Sequence, residues 1–208
     1  MIRGKFIVFE GGEGSGKSHH VKLTQQYLRV QGWSVVTTYE PGATVVGQAI
    51  RRSVLRTNHT PRPKTELFLF LADRAEHVEE YIKPQLQSGT TVVCDRFSGS
   101  TLAYQIGGRK LAPVALIKAM DRYARSQLRP DLVIYLDVDP IIGLQRKRRQ
   151  MKQQALTRFE AEHIQFHRAV RRYFRQLVKQ PGWIQINANR TLEQVQVDIN
   201  TVVNNLWL

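Results

Sequence analysis

Residues 5–22 read KFIVFEGGEGSGKSHHVK, and this stretch decides the fold. A short apolar run at 6–9 precedes the spacing G-x-x-x-x-G-K-S at 11–18, and a helical pattern follows. Strand, glycine turn and helix in this order are the context that a P-loop requires. The glycines allow a tight turn whose backbone N–H groups point at phosphate oxygens, and the helix N-terminus adds its positive dipole. The sequence therefore predicts that residues 11–18 bind a nucleoside triphosphate.

Two side chains of this loop have predicted roles of their own. In P-loop proteins the lysine bridges the β- and γ-phosphates, and the hydroxyl that follows it holds Mg²⁺. Lys17 and Ser18 occupy these positions. The candidate nucleotide-binding residues are Gly11, Gly12, Glu13, Gly14, Ser15, Gly16, Lys17 and Ser18.

Length and composition indicate an ordinary globular protein. The 208 residues suffice for one domain, 1–208, with a sizeable core. No apolar stretch approaches the length of a membrane span, and the first strand begins too early to leave room for a signal peptide. The single cysteine, Cys94, rules out an internal disulfide and suits a reducing compartment. We therefore expect a cytoplasmic protein without a membrane partner.

The charge balance is strongly basic, with 31 Lys and Arg against 17 Asp and Glu, a net charge of +14. One interpretation is a nucleic-acid surface, and the other is a site for small polyphosphates with the excess spread over solvated helices. Much of the excess lies between Arg146 and Arg175, where the few aromatic residues fall near core-facing positions of a helical pattern. Since nucleic-acid platforms need accessible aromatic residues among the cations, we favour phosphate binding and do not expect a nucleic-acid partner.

Apolar, β-branched runs alternate with helical patterns along the chain. Nearly continuous apolar strands are typical of a parallel sheet that is buried on both faces. The alternation predicts an α/β fold with about five parallel strands and helices on both faces. Predicted strands are Phe6–Glu10, Ser34–Thr38, Thr91–Asp95, Leu132–Asp137 and Trp183–Asn187. Predicted helices are Lys17–Gln31, Thr44–Arg56, Lys64–Gln87, Ala112–Gln127, Pro140–Met151, Arg158–Lys179 and Leu192–Leu206, and Thr57–Pro63 is a predicted connector.

Charged residues follow two of the predicted strands. Asp95 ends the third strand, which in a P-loop protein suggests a carboxylate near Mg²⁺. Arg96 follows at once, and a guanidinium there needs an anion, which a transferred phosphoryl group would supply. After the fourth strand, Asp137 and Asp139 lead into Pro140, and we expect them to cap the next helix.

Two helical segments leave alternatives open. Phe70 and Arg74 lie on one face at i and i+4, where they could stack on a base and bond its edge, or be a core aromatic and a surface cation. The run Arg146-Lys147-Arg148-Arg149 could close over polyphosphate as a lid, or be a solvated face.

With these motifs assembled, the chain resembles thymidylate kinases over about residues 2–206. The motifs stand in the family's order: EGGEGSGKS at 10–18, EPGAT at 40–44, FLADRAEHVEEYIKP at 70–84, DRFSGSTLAYQIGGR at 95–109 and PDLVIYLDVDP at 130–140, followed by the basic run. DR followed by S-T-x-A-Y-Q is the specific part. The resemblance implies a P-loop nucleoside monophosphate kinase fold, phosphoryl transfer from ATP to dTMP with Mg²⁺, and a homodimer.

The resemblance also implies roles for individual residues. Ser18 and Asp95 serve the metal, and Lys17, Asp95 and Arg96 lie at the transferred phosphoryl group. Glu13 meets the 3′-hydroxyl of the deoxyribose. Phe70 stacks on thymine, Arg74 bonds its edge, and Tyr104 crowds the 2′ position. The remaining implied acceptor-site residues are Glu40, Pro41, Arg96, Ser100, Thr101 and Gln105.

The P-loop interior contains no arginine, as in the bacterial branch of the family with a basic lid at about 140–160. The charge at the transferred group must then come from the lid, and Arg146 and Arg149, three apart on one face, are the candidates. Arg148 and Arg158 are further candidates. The usual family residues are replaced by His19, His20, Tyr39, Ala43 and Thr157.

Two rival functions stay open at this point. One is a kinase with another nucleoside or monophosphate acceptor. The other is a non-catalytic nucleotide-binding regulator that uses its basic surface.

Overall fold

The computed structural model describes residues 4–55, 60–151 and 157–207. Five parallel strands form one sheet in the order β2-β3-β1-β4-β5, which confirms the predicted α/β fold. The strands are β1 (Phe6–Gly11), β2 (Val35–Tyr39), β3 (Thr91–Asp95), β4 (Leu132–Asp137) and β5 (Trp183–Asn187). The last three match their predicted bounds, β1 is one residue longer, and β2 is shifted by one.

Helices cover the sheet, and several of them contribute side chains to a cleft at its carboxyl edge. They are α1 (Lys17–Val30), α2 (Val45–Leu55), α3 (Pro63–His77), α4 (Lys83–Gln87), α5 (Ser98–Thr101), α6 (Val114–Ala124), α7 (Pro140–Met151), α8 (Ile164–Leu177) and α9 (Leu192–Asn204). Among these residues, no helix is long and apolar enough to cross a membrane. Residues 152–156 of the predicted lid and 57–59 of the predicted connector lie outside the described ranges.

The sequence pattern missed two π-helical segments. Val78–Ile82 joins α3 to α4, within what was predicted as one regular helix. Leu102–Gly108 continues α5, where no helix was predicted. This second segment packs against α8, and Gly107 and Gly108 lie against Tyr173 and Phe166 so closely that a Cβ atom on either glycine would clash. Local periodicity could not reveal this segment because its packing partner lies far along the chain.

The sequence of β1 is apolar at every position from 6 to 9 because both faces of this strand are buried. Ile7 and Phe9 pack with Val21 of α1 and Ile199 of α9 on one face of the sheet. Phe6 and Val8 pack on the other face in a separate cluster that includes residues 78–86. Full burial of a side chain of this size contributes about 1.5–3 kcal/mol. Both faces of the central strand are therefore core.

The sheet topology decides where chemistry can occur. Strand β1 lies between β3 and β4, so the chain leaves it at the point where the strand order reverses. In the register, Phe9 pairs with Asp95 and Gly11 with Leu136, so the strands end at one edge of the sheet. The P-loop, Asp95 and Glu40 after β2 all meet at this edge.

Candidate active site

A cleft of about 700 Å³ opens at the carboxyl edge of the sheet. This volume lies within the range of small-molecule sites. Residues 13–18 of the P-loop line it together with parts of α3, the ends of β2 and β3 and the segment 100–105. From the region after β4 the lining residues are Lys147, Gln150, Thr157, Phe159 and Glu160. The lining includes every residue predicted for the acceptor site: Glu13, Glu40, Pro41, Phe70, Arg74, Arg96, Ser100, Thr101, Tyr104 and Gln105.

The P-loop backbone has the conformation that its glycines predict. Gly14 and Gly16 have backbone φ angles of 67° and 92°, which residues other than glycine rarely adopt. Gly14 also approaches α7 so closely that a Cβ atom would lie 1.9 Å from the Gly143 carbonyl oxygen. A Cβ on Gly143 would in turn lie 2.2 Å from the Glu13 carbonyl oxygen. The loop is thus fixed from outside by the first turns of α7.

Lys17 folds back over the loop. Its Nζ donates to the carbonyl oxygens of Gly11 and Gly12 at 3.1 and 2.9 Å, and to Ser15 Oγ at 3.3 Å. Burial lowers the pKa of Lys17 to about 8, and the neighbouring Arg96 acts in the same direction. An anion in the loop would favour the charged form of this lysine.

Ser18 and Asp95 are in hydrogen-bond contact at the carboxyl end of β3. Ser18 Oγ donates to Asp95 Oδ2 at 2.5 Å, and Asp95 Oδ1 is buried without a hydrogen-bond partner. Across the described ranges there is no cluster of three or more His, Cys, Asp or Glu that could hold a metal. Mg²⁺ bound with nucleotide takes one or two protein oxygens, and phosphates and water supply the rest. The hydroxyl and the unpaired carboxylate oxygen fit that requirement.

Glu13 is neutralised by protein groups. Its Oε1 accepts from Arg96 Nη2 at 2.8 Å and from the Tyr104 hydroxyl at 2.7 Å. Burial opposes ionisation, yet Arg96, Lys17 and the Tyr104 hydroxyl together lower the pKa of Glu13 to about 2. Arg96 and Tyr104 therefore already bond the carboxylate that the family resemblance assigns to the 3′-hydroxyl of the deoxyribose.

Arg96 lies at the centre of the hydrogen-bond network beside the P-loop. Besides Glu13, it donates from Nη1 to the Gly11 carbonyl oxygen at 3.1 Å and to Ser100 Oγ at 3.0 Å. Its guanidinium carbon lies 5.3 Å from the centre of the Tyr104 ring. Its φ of 74° is rare for a residue with a side chain, and this backbone turn directs the chain from β3 into α5. The pKa of Arg96 is raised despite burial, by Tyr104, Glu13 and Asp95.

Glu10 is a functional candidate that the sequence reading missed. This carboxylate is fully buried and accepts from the Phe97 and Ser100 backbone N–H groups at 3.0 and 2.9 Å, and from Ser100 Oγ at 2.6 Å. Burial raises the pKa of Glu10 to about 7, against the Ser100 hydrogen bonds and the nearby Arg96. Glu10 thereby holds the loop that carries Arg96 and Ser100. The available signal was an acidic residue at the end of an otherwise apolar strand.

Arg74 lies at the far end of the cleft and is only 2% exposed. It donates to Glu40 Oε2 at 2.5 Å, and to Asp121 Oδ1 and Thr101 Oγ1 at 2.8 Å each. Its Nε is buried without a partner. The alternative of a surface arginine is therefore wrong, and Glu40 acts in the first place as the counter-charge of Arg74.

Aromatic rings form the walls around this end. Phe70 lies 6.0 Å from Phe159 in a tilted arrangement, and Tyr104 meets the same Phe159 edge-on at 5.6 Å. A planar base can stack against a wall of this kind. Phe159, near the end of the predicted lid, was not among the predicted site residues.

The basic run does not meet the cleft as expected. Arg146 donates to the Ala188 and Arg190 carbonyl oxygens at 2.7 and 3.3 Å, and Arg149 is exposed and absent from the cleft lining. Lys147 lines the cleft instead and pairs with Glu160 at 3.3 Å. The reason is helix phase, since one residue in the run is turned by about 100° from the next.

Arg158 and Asp137 differ from expectation, whereas Asp139 does not. Arg158 is buried, where it donates to Glu66 and, at 3.1 Å, to the Val54 carbonyl oxygen. Asp139 caps α7 as predicted, because its Oδ1 accepts from the Ile141 N–H at 2.9 Å. Asp137 is not a cap: it pairs with Arg171 and Arg175 of α8, each at 2.7 Å.

The positions that depart from the family pattern have identifiable surroundings. His20 is buried, with Nδ1 2.8 Å from Gln196 Oε1 of α9, while His19 lines the cleft. Tyr39 is covered by the Arg51 guanidinium, whose carbon lies 5.5 Å from the ring centre. The Thr157 N–H donates to Glu160 Oε2 at 2.7 Å.

Comparison with known proteins gives a consistent result. The family model described as Thymidylate kinase matches residues 9–199. A thymidylate kinase of Methylococcus capsulatus is 42% identical over 208 residues, covering 99% of this chain and 98% of its own. Thymidylate kinases of Halothermothrix orenii and Trichodesmium erythraeum are 39% and 41% identical, each covering at least 95% of both chains.

Proposed function

This chain belongs to the thymidylate kinase family and transfers a phosphoryl group from ATP to dTMP, and we propose that the cleft at the carboxyl edge of the sheet is the place of this reaction. One observation carries the proposal. The P-loop and all the residues predicted for the acceptor site line a single cleft, although they come from distant parts of the chain.

The reaction joins an oxygen of the dTMP phosphate to the γ-phosphorus of ATP and breaks the bond to the β,γ-bridging oxygen. The attacking oxygen is already ionised at neutral pH, so the site needs no general base. Catalysis then consists of alignment and neutralisation of charge. We assign Lys17 to the donor phosphates and Arg96 to the acceptor phosphate and the transferred group.

A cation beyond Lys17 and Arg96 is useful here because Arg96 is partly engaged in compensating Glu13. We propose Lys147 for this role in place of Arg146 and Arg149. Lys147 lines the cleft, whereas Arg146 is held by backbone carbonyl oxygens outside it. Lys147 also pairs with Glu160 of the same cleft lining.

The metal proposed for this site is Mg²⁺, with Ser18 Oγ and Asp95 as its protein oxygens. When bound, Mg²⁺ neutralises charge on the β- and γ-phosphates. The unpaired Asp95 Oδ1 supports the assignment, because a buried carboxylate oxygen without a donor is costly unless a cation or water satisfies it.

The acceptor end is proposed to bind the thymine between Phe70 and the Arg74–Thr101 pair. Tyr104 and Glu13 then lie on the sugar side, where Glu13 can accept from the 3′-hydroxyl. The hydrogen bond from the Tyr104 hydroxyl to Glu13 supports this, because it places the two side chains together on that side of the cleft.

A coupled ADP-release assay over a panel of acceptors tests the substrate. We expect dTMP to be phosphorylated in preference to UMP, CMP, AMP and GMP. Equal or higher kcat/KM with any ribonucleotide would refute the acceptor assignment. ADP release that does not depend on any monophosphate would indicate a nucleotide-binding protein of another kind.

We also propose that the chain acts as a homodimer, in the cytoplasm. Helix α3 packs between α2 and α6, and each of the three exposes a large apolar side chain: Val46, Phe68 and Leu116. Cys94 is buried and free, as suits a reducing compartment. Sedimentation equilibrium tests the dimer: Phe68→Glu should yield monomers, and a monomeric wild type would exclude this interface.

A further inference from the structure

Glu66 of α3 is a fully buried carboxylate that none of the roles above uses. Its Oε1 accepts from Gln105 Nε2 at 2.6 Å and from Arg109 Nε at 3.2 Å. Its Oε2 accepts from Arg109 Nη2 at 3.3 Å and from Arg158 Nη2. All of these partners are donors, so Glu66 acts only as an acceptor.

This contact fixes the orientation of the Gln105 amide. An amide can present either its oxygen or its NH₂ group, but the oxygen placed 2.6 Å from a carboxylate oxygen would be repelled. Glu66 therefore holds the NH₂ group. Gln105 Oε1 is buried and has no partner, and Gln105 lines the cleft beside Thr101 and Tyr104. A buried amide oxygen without a donor favours a ligand that supplies an N–H.

The pyrimidine bases differ at the atom that could meet this oxygen. N3 of thymine carries a hydrogen and donates, whereas N3 of cytosine is an acceptor. An amide held with its oxygen toward the base accepts from thymine and repels cytosine. An amide free to turn over could serve either base.

We propose that Glu66 is a positioning residue for base specificity: it locks the Gln105 amide so that the oxygen faces the base and selects a pyrimidine with an N3–H. The inference rests on the proposed acceptor site. Glu66 itself does not contact substrate, and it acts through Gln105.

The test compares dTMP with 5-methyl-dCMP, which keeps the sugar, the phosphate and the 5-methyl group. The readout is the ratio of the two kcat/KM values, which a general loss of stability or activity would leave unchanged. Glu66→Gln gives the position an NH₂ group of its own, so the Gln105 amide can turn over. We expect the dTMP preference to fall by about tenfold or more, as one misdirected buried hydrogen bond would produce.

Glu162→Gln is the matched control. Glu162 pairs with Arg109 at 2.5 Å, as Glu66 does, but it makes no contact with Gln105. This variant removes the same charge and should keep the wild-type ratio. A folded Glu66→Gln variant with the wild-type ratio would overturn the proposal, and so would an equal change in the control. A wild type inactive on dTMP would instead overturn the proposed function.

Glu66→Gln leaves Arg109 and Arg158 with less counter-charge and could fail to fold. In that case the charge-balanced double variant Glu66→Gln/Arg109→Gln takes its place, with Arg109→Gln as its control. The double variant should lose the dTMP preference while Arg109→Gln keeps it. If the folded double variant keeps the wild-type ratio, the proposal is wrong.

Discussion

Replacing Arg96 by alanine separates the structural role of this residue from its proposed role in catalysis. The side chain makes three hydrogen bonds, to Glu13, Ser100 Oγ and the Gly11 carbonyl oxygen. The hydrogen bond to Glu13 compensates the charge of a carboxylate that is largely enclosed. Arg96→Ala should therefore reduce both stability and turnover, but by different amounts.

The stability loss can be worked from Glu13. Its pKa lies at about 2 instead of 4.5, and Arg96 is the largest of the causes that lower it. This difference corresponds to about 3 kcal/mol that favours the charged folded form, shared with Lys17 and Tyr104. Because the folded-state pKa is depressed, the contribution is present at pH 7 and disappears as the pH falls from 4.5 toward 2. With the other two hydrogen bonds, we expect Arg96→Ala to lose about 2–4 kcal/mol at pH 7.

The turnover loss should be larger. A guanidinium that neutralises the reacting phosphates is worth about 10³-fold or more in kcat. A factor of 10³ corresponds to about 4 kcal/mol of transition-state stabilisation. The assay is ADP release at saturating ATP and dTMP, at a temperature where the variant stays folded, with urea unfolding at pH 7 beside it.

The double variant Arg96→Ala/Glu13→Gln is the decisive control. Glu13→Gln removes the uncompensated charge, so the double variant should regain part of the lost stability but none of the lost turnover. If its kcat returned toward that of Glu13→Gln alone, Arg96 would act only by neutralising Glu13. A kcat for Arg96→Ala within about threefold of wild type, well below the loss expected for a lost arginine finger, would likewise refute the catalytic role.

Three further predictions concern the surroundings of this centre. Since the pKa of Glu10 is raised to about 7, the folded state holds a proton that the unfolded chain has lost between pH 4.5 and 7, and stability should fall by about 3 kcal/mol as the pH rises through this window. Glu10→Gln should flatten this dependence in urea unfolding, and an unchanged pH profile would contradict the burial argument. Lys147→Ala should lower kcat by at least about tenfold, whereas Arg149→Ala should leave kcat unchanged. A loss of kcat in Arg149→Ala but not in Lys147→Ala would instead support the assignment of Arg149 made from the sequence. Gly143→Ala places a Cβ atom 2.2 Å from the Glu13 carbonyl oxygen and should lower kcat/KM for ATP by up to about 100-fold, whereas a normal value would show that the P-loop adjusts at little cost.

The sequence alone predicted the five-stranded sheet, the P-loop and part of the cleft lining. Three strands match their predicted bounds, because a strand buried on both faces leaves a continuous apolar run that local reading detects. The P-loop was equally visible, since its turn needs glycine at fixed positions whatever surrounds it. The acceptor-site residues came from the resemblance to a family, and the topology brings them to one edge of the sheet.

Only the tertiary structure decided which charged groups are paired. Glu10, Glu66 and Asp137 are isolated letters in the sequence. Apart from Tyr135, which bonds Asp137 from two positions away, their partners lie between 34 and 92 positions away. The four consecutive lid cations cannot be told apart from the sequence. The phase of the helix directs Lys147 to the cleft and Arg146 to the loop after β5. Periodicity reports burial along one element, but the state of a charge depends on the groups that other elements place beside it. For this protein, the sequence therefore indicated the loop to which we assign the phosphates, and the packing of distant elements determined which charged side chains line the cleft beside it.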